Sequence, residues 1–181
     1  MDKEIFENFR EEIEAASFKN GIPEQYQAIP KRTVEKLLAS KKTITAAESL
    51  TAGLFQATIA DIPHASQVFE GGYVTYSDEM KEKLLHIPSE VIEKHTVVSA
   101  PVAQQMAEST AVILEKDIGV GITGVAGPDP LEGSDVGTVF IGCYDKIKGG
   151  VEVKEFHFTG SRNEIRQKSV ISAFVLVEKI A

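Results

Sequence analysis

The feature of this 181-residue sequence that most restricts its fold is an alternation, from Pro30 onward, of short apolar or β-branched runs with segments of helical period. A helix is expected over 31–40, a strand over 43–47 and a further helix from near Leu50. A strand over 71–76 leads into a helix over 77–86. Ser99-Ala100-Pro101 then opens a helix ending near Lys116, with proline in the first turn, where an N–H has no helical partner to lose. The run DIGVGIT, 117–123, reads as a fully buried strand, and VGTVFIGC and VEVKEFHF, on either side of Gly149-Gly150, read as a hairpin. Strands joined through helices pair in parallel, whereas a hairpin is antiparallel, so the pattern predicts an α/β fold with a mixed sheet. Ser161 and Glu164 have capping-box spacing ahead of a last helix, whose Ile165, Ala173, Val177 and Ile180 can cover that sheet.

Residues 3–18 place Ile5, Phe9 and Ile13 four apart among charges, the stripe of an amphipathic helix that needs an apolar partner. Gly21–Pro30, with two prolines and a glycine, reads as a linker delivering this helix either onto the domain or onto a neighbouring subunit. A homo-oligomer is expected on that basis. The chain divides at this point into a helix and linker, 1–30, and one catalytic-sized domain, 31–181. The first residues, MDKEIFENFREE, lack the apolar stretch of a signal peptide, and no apolar run approaches the ~20 residues of a membrane span. Neither export nor a membrane partner is expected. The net charge of −8, with no basic stripe, opposes nucleic-acid binding, because affinity for a phosphate backbone comes largely from Lys and Arg. Cys143 is the single cysteine and sits in an apolar run, so a buried inert thiol in a reducing cytoplasm is expected.

Ligands of open α/β folds bind where strands end and helices begin. Three segments have that form: AAESLTAG after the first strand, GGYVTYSDEMK after the second and GITGVAGPDP after the third. In the first, Ser49 can attack a carbonyl while nearby backbone N–H groups receive the oxyanion, although serine is also a favoured helix cap and the local pattern by itself favours the cap. Glu48 reads as a first-turn helix charge or as a carboxylate that orients a lysine. The second segment supplies Tyr76 and Lys81. A lysine whose pKa is lowered by desolvation can take the serine proton, as in Ser-Lys variants of the serine-hydrolase scheme; read singly, Lys81 is a solvated helix lysine and Tyr76 a strand-edge aromatic. The four histidines, His64, His86, His95 and His157, lie away from the strand-end motifs, and no metal-ligand spacing occurs. Gly124 to Asp129 form a glycine-rich loop suited to close approach of an anion or sugar, or simply a turn. Arg162 and Arg166, one turn apart at a helix start where the dipole disfavours cations, fit a phosphate as well as they fit pairing with Glu164 or Asp129.

Six blocks in order carry a family likeness: TAAESLTAG at 45–53, FEGGYVTYSDEMKEKLL at 69–85, VSAPVAQQMA at 98–107, GITGVAGPD at 121–129, VGTVFIG at 136–142 and FTGSRNEIRQ at 158–167. From about Thr33 to Ala181 the chain resembles the C-terminal domain of the competence/damage-inducible CinA proteins, the nicotinamide mononucleotide amidohydrolases. The resemblance implies a three-layer α/β/α sandwich with a mixed, mostly parallel sheet of about five strands. It also implies hydrolysis of the carboxamide of nicotinamide mononucleotide to nicotinate mononucleotide and ammonia, in pyridine nucleotide recycling, with no metal or organic cofactor. On it, Ser49, Tyr76 and Lys81 are the catalytic candidates. Glu48, Thr51, Thr123, Gly124, Arg162 and Arg166 are the substrate-binding candidates, for a small-molecule nucleotide.

Leu50 and Ala52 stand where the family usually has cysteine and glycine, and Pro130 where glycine commonly follows GPD. Leu50 adds bulk beside the serine, and Ala52 removes backbone freedom. The alternative to an amidohydrolase is a catalytically silent nucleotide-binding or regulatory domain of the same fold.

Overall fold

The computed structural model describes residues 3–181. Strand β1 (Ile44–Glu48) lies inside the sheet, and its residues are all buried. It pairs in parallel with β2 (Tyr73–Val74) on one side and with β3 (Ile118–Gly124) on the other. β3 is antiparallel to β4 (Thr138–Asp145), and β4 to β5 (Gly150–His157). The sheet order is therefore β2-β1-β3-β4-β5, with β4 alone running against the rest.

Because side chains alternate across a strand, β1 and β3 each feed two layers. Ile44 and Ala46, with Ile118, Val120 and Ile122, meet α3 (Ile29–Ser40), α4 (Leu54–Ala60) and α8 (Arg162–Ile180) through Leu37, Phe55, Ile59 and Phe174. The opposite face meets α5 (Asp78–Leu85), α6 (Ser89–His95) and α7 (Ala100–Ile113), where Ala47 joins Leu85, Ile92, Val102 and Met106. A Cβ on Gly119 would lie 2.0 Å from the Ala107 carbonyl oxygen, and one on Gly121 2.4 Å from that of Ala103. Those glycines let α7 lie against the sheet backbone. The mixed five-stranded sheet and three-layer α/β/α order match the expectation. At the start of α8, Ser161 Oγ accepts the Glu164 N–H while the Glu164 carboxylate accepts the Ser161 N–H, completing the expected capping box.

The N-terminal stripe differs from its expectation. In α1 (Lys3–Ala15) Ile5 is 58% exposed, and it is Phe6 that is buried with Ile13. Repeated steps of four advance about 40° beyond a full turn each, so Phe6, Phe9 and Ile13 share a face that Ile5 has left. That face has its partner within the chain: the Phe6 ring meets Phe156 of β5 edge-on at 6.3 Å between centroids. The segment expected to be a linker carries α2 (Glu24–Gln27) and the first two residues of α3. The helix expected from Leu50 starts at Leu54, because Ala52 and Gly53 both take left-handed backbone angles, with φ of 50° and 90°. β2 is only two residues long, and α6 had no periodic signature strong enough to be expected. Among the described residues no helix is long and apolar enough to cross a membrane.

Candidate active site

The alternation along β1 separates its last carboxylate from the serine that follows. Glu48 continues the face of Ile44 and Ala46 and points toward α4, where Oε2 accepts the N–H groups of Gly53 (3.0 Å) and Phe55 (3.1 Å), and Oε1 that of Gln56 (2.9 Å). These are helix-start donors with no intrahelical partner, so Glu48 does the capping that the local sequence assigned to Ser49. Ser49 falls on the opposite face. Its N–H donates to the Ile122 carbonyl at 2.9 Å, extending the β1–β3 ladder by one residue, and its hydroxyl turns toward α5.

There it meets Lys81. Ser77 caps α5 by accepting the Met80 N–H, and Lys81, one turn in, points inward. The Lys81 amine is fully buried and donates to Ser49 Oγ at 3.3 Å and to the Thr75 carbonyl at 3.1 Å. Both acceptors are neutral. Water is the better solvent for an ammonium ion, so burial pushes the Lys81 pKa below the usual lysine value, while Asp78 and Glu132 at longer range offset part of that shift. A buried amine inclined to be neutral, beside a serine hydroxyl, is the arrangement required of a serine–lysine pair.

Ser49 opens onto a cavity of about 330 Å³ walled by Leu50, Tyr76, the loop from Gly124 to Leu131, and Arg162. That volume lies at the small end of the ~300–1,000 Å³ range of small-molecule sites. Arg162, the first residue of α8, spans the mouth. One terminal nitrogen donates to the Gly127 carbonyl, and the other donates to the Tyr76 hydroxyl oxygen at 2.5 Å. Because that oxygen acts as an acceptor here, the Tyr76 O–H proton stays available to a ligand. Arg162 likewise keeps further N–H donors.

The structure therefore brings Ser49, Tyr76, Gly124 and Arg162 to one cavity, with Lys81 behind Ser49. It gives the other candidates different partners. Glu48 is occupied by the start of α4. Thr123 is buried and donates to the Val97 carbonyl at 2.9 Å, tying β3 to the turn before α7. Thr51 is buried, and no partner for its hydroxyl occurs among the described residues. Arg166 reaches the Leu50 and Thr51 carbonyls, through Nε at 3.0 Å and Nη2 at 2.9 Å, and so clamps the turn after Ser49 instead of facing the cavity. The tyrosine hydroxyl pairs with Arg162, not with Ser49 or Lys81. Two contributors had no sign in the sequence: the Thr75 carbonyl, since a backbone acceptor leaves no residue signature, and the Leu131 side of the cavity wall, beyond the glycine-rich segment.

Fold and cavity together define a three-layer α/β/α protein with a serine–lysine pair at the end of its central parallel strand. Residues 26–181 match the CinA C-terminal domain, and the chain belongs to that family. It is 46% identical over 174 residues to a protein named as competence-damage inducible in Streptococcus uberis, covering 92% of this chain and 41% of that one. A Streptococcus pneumoniae protein of the same name is 52% identical over 147 residues, covering 81% of this chain and 35% of its own length. The chain thus spans well under half of these relatives. Among solved structures it is similar to a CinA superfamily protein from Klebsiella pneumoniae, with a TM-score of 0.82 and 28% identity over 85% of this chain and 96% of that one. A competence/damage inducible protein from Agrobacterium tumefaciens gives a TM-score of 0.83 and 26% identity, over 88% and 97%.

Proposed function

We propose that the protein is a cytoplasmic amidohydrolase that converts nicotinamide mononucleotide and water to nicotinate mononucleotide and ammonia, in pyridine nucleotide recycling. The observation that carries this reading is the hydrogen bond between the buried Lys81 amine and Ser49 Oγ at the floor of a small-molecule cavity. Neutral Lys81 takes the hydroxyl proton as Ser49 Oγ bonds to the carboxamide carbon. The C–N bond then breaks, the Lys81 ammonium returns that proton to the departing nitrogen, and ammonia leaves an ester on Ser49. Water attacks the ester, giving a proton to Lys81, which passes it to Ser49 Oγ as the carboxylic acid is released. The N–H of Leu50, next to Ser49 and outside any helix or strand, is the donor assigned to the oxyanion, and one such donor is worth ~100- to 1,000-fold in rate.

The substrate's phosphate suits Arg162, which lines the cavity and keeps N–H donors beyond those given to Gly127 and Tyr76, and Tyr76 offers its O–H to the ribose or carboxamide. The choice of nucleotide rests on the family likeness, and the choice of reaction on the serine–lysine geometry. The test is ammonia release by purified protein given nicotinamide mononucleotide. Wild type releases ammonia and Ser49→Ala does not; no release by wild type, or equal release by both, refutes the proposal.

A further inference from the structure

Arg162 reaches the cavity from the first position of α8, and the backbone it hangs from is held at both ends by the N-terminal segment. On its N-terminal side, Thr159 donates to the Glu14 carbonyl through its N–H at 3.2 Å and its hydroxyl at 2.9 Å. On its C-terminal side, Glu164 Oε2 accepts the Ser161 N–H and hydroxyl, each at 2.9 Å, while Oε1 accepts the Phe18 N–H at 2.9 Å. Buried Lys168, one turn further along α8, closes the circuit by donating to the Glu14 carbonyl at 3.0 Å and the Thr159 carbonyl at 2.7 Å, over the face of the Phe18 ring.

The chemistry suits a clamp. Glu14 lies in the last turn of α1, where carbonyls lack helical partners and the helix end carries partial negative charge, so a cation and two further donors satisfy it fully. The Glu164 carboxyl is held below its ordinary pKa chiefly by the Ser161 N–H. Burying the Lys168 ammonium costs free energy, and burial lowers its pKa, yet its partners, the Glu14 carbonyl and the carbonyl and hydroxyl of Thr159, join α1 to the approach of α8.

We infer that residues 14–18, acting through Thr159, Glu164 and Lys168, are a positioning element for Arg162 and hence for the anionic end of the ligand. This inference rests on the reading of Arg162 as the phosphate-binding arm. Residues 14–18 lie N-terminal to residues 26–181, the stretch that matches the CinA C-terminal domain.

The test measures binding to the full-length Ser49→Ala protein by calorimetry, with nicotinamide mononucleotide and with the same nucleoside lacking its phosphate. Lys168→Met removes the ammonium at similar length, and Thr159→Val removes one hydroxyl if the first variant fails to fold. Each is expected to raise Kd for the mononucleotide about 2- to 30-fold, the range of a coupling network, and to leave the nucleoside unchanged. Combined with Arg162→Ala, neither should weaken binding further. Equal losses for both ligands, losses that add to those of Arg162→Ala, or no loss overturns the clamp. This selective pattern in a protein whose wild type releases no ammonia refutes the proposed reaction and keeps the clamp. Absence of mononucleotide binding overturns both.

Discussion

The Lys81 amine donates a 3.3 Å hydrogen bond to Ser49 Oγ from a position sealed from solvent. Burial favours the neutral form that the proposed base requires, since the charged form loses hydration and has no carboxylate within hydrogen-bond reach. Lys81→Met should therefore lower kcat by about 100- to 10,000-fold, the usual contribution of a positioned acid–base group. The same change should leave the melting temperature unchanged or higher, because a buried amine is replaced by an apolar chain of similar length. A large fall in both would identify Lys81 as a structural residue.

The pH dependence follows from the same shift. The folded lysine loses its proton below the ordinary lysine value of about 10.4. As the base must be neutral, kcat should rise with pH along a limb centred below that value, and Lys81→Arg, permanently charged, should abolish the limb. A limb centred at the ordinary lysine value would contradict the assignment.

Arg162 and Arg166 should separate in their kinetics. Arg166 binds the Leu50 and Thr51 carbonyls, so Arg166→Gln should disturb the turn holding Ser49 and act mainly on kcat. Arg162→Ala should act mainly on KM for a phosphorylated substrate. Steady-state kinetics of the two variants check this, and a rise in KM alone for Arg166→Gln would restore it to the ligand.

Glu48 should prove a stability residue. Glu48→Gln weakens a site that accepts three N–H groups, and hydrogen bonds to a charged group are worth about 1.5–3 kcal/mol each. A loss of roughly 2–3 kcal/mol overall would lower Tm by about 4–12 °C for a chain of this size. Thermal unfolding measures it.

Ala52 should respond in the opposite direction. Its φ of 50° is in the left-handed region. Ala52→Gly relieves about 1–2 kcal/mol of steric cost and adds roughly 0.4–1 kcal/mol of unfolded-chain entropy, so a net gain of about 0.5–1 kcal/mol is expected in chemical denaturation. A loss would show that the methyl group packs favourably.

The strand–helix alternation made most of the fold legible, because β1 and β3 are short apolar runs and α7 and α8 open on clear cap signals, Ser99 ahead of Pro101 and the Ser161–Glu164 box. The short elements were less so: two residues of β2 cannot display alternation, and α6 is a single pair of turns. Ser49, Lys81 and Arg162 were legible as motif residues. Their division of labour was not, since it depends on which face each occupies. A one-residue step sends Glu48 to α4 and Ser49 to α5, and one helical turn sends Arg162 to the cavity and Arg166 to the Ser49 turn. Thr123 was a ligand candidate through the family likeness, yet its hydroxyl donates to the Val97 carbonyl, a partner 26 positions away in sequence.

The most direct test of the serine–lysine mechanism is to follow the substrate's acyl group onto the protein. Acid-quenched reactions with nicotinamide mononucleotide are digested and the peptide containing Ser49 is weighed, with formation of nicotinate mononucleotide measured in parallel. An ester of nicotinate mononucleotide on Ser49, together with loss of both ester and turnover in Ser49→Ala, is the predicted result. Turnover undiminished in Ser49→Ala would contradict it.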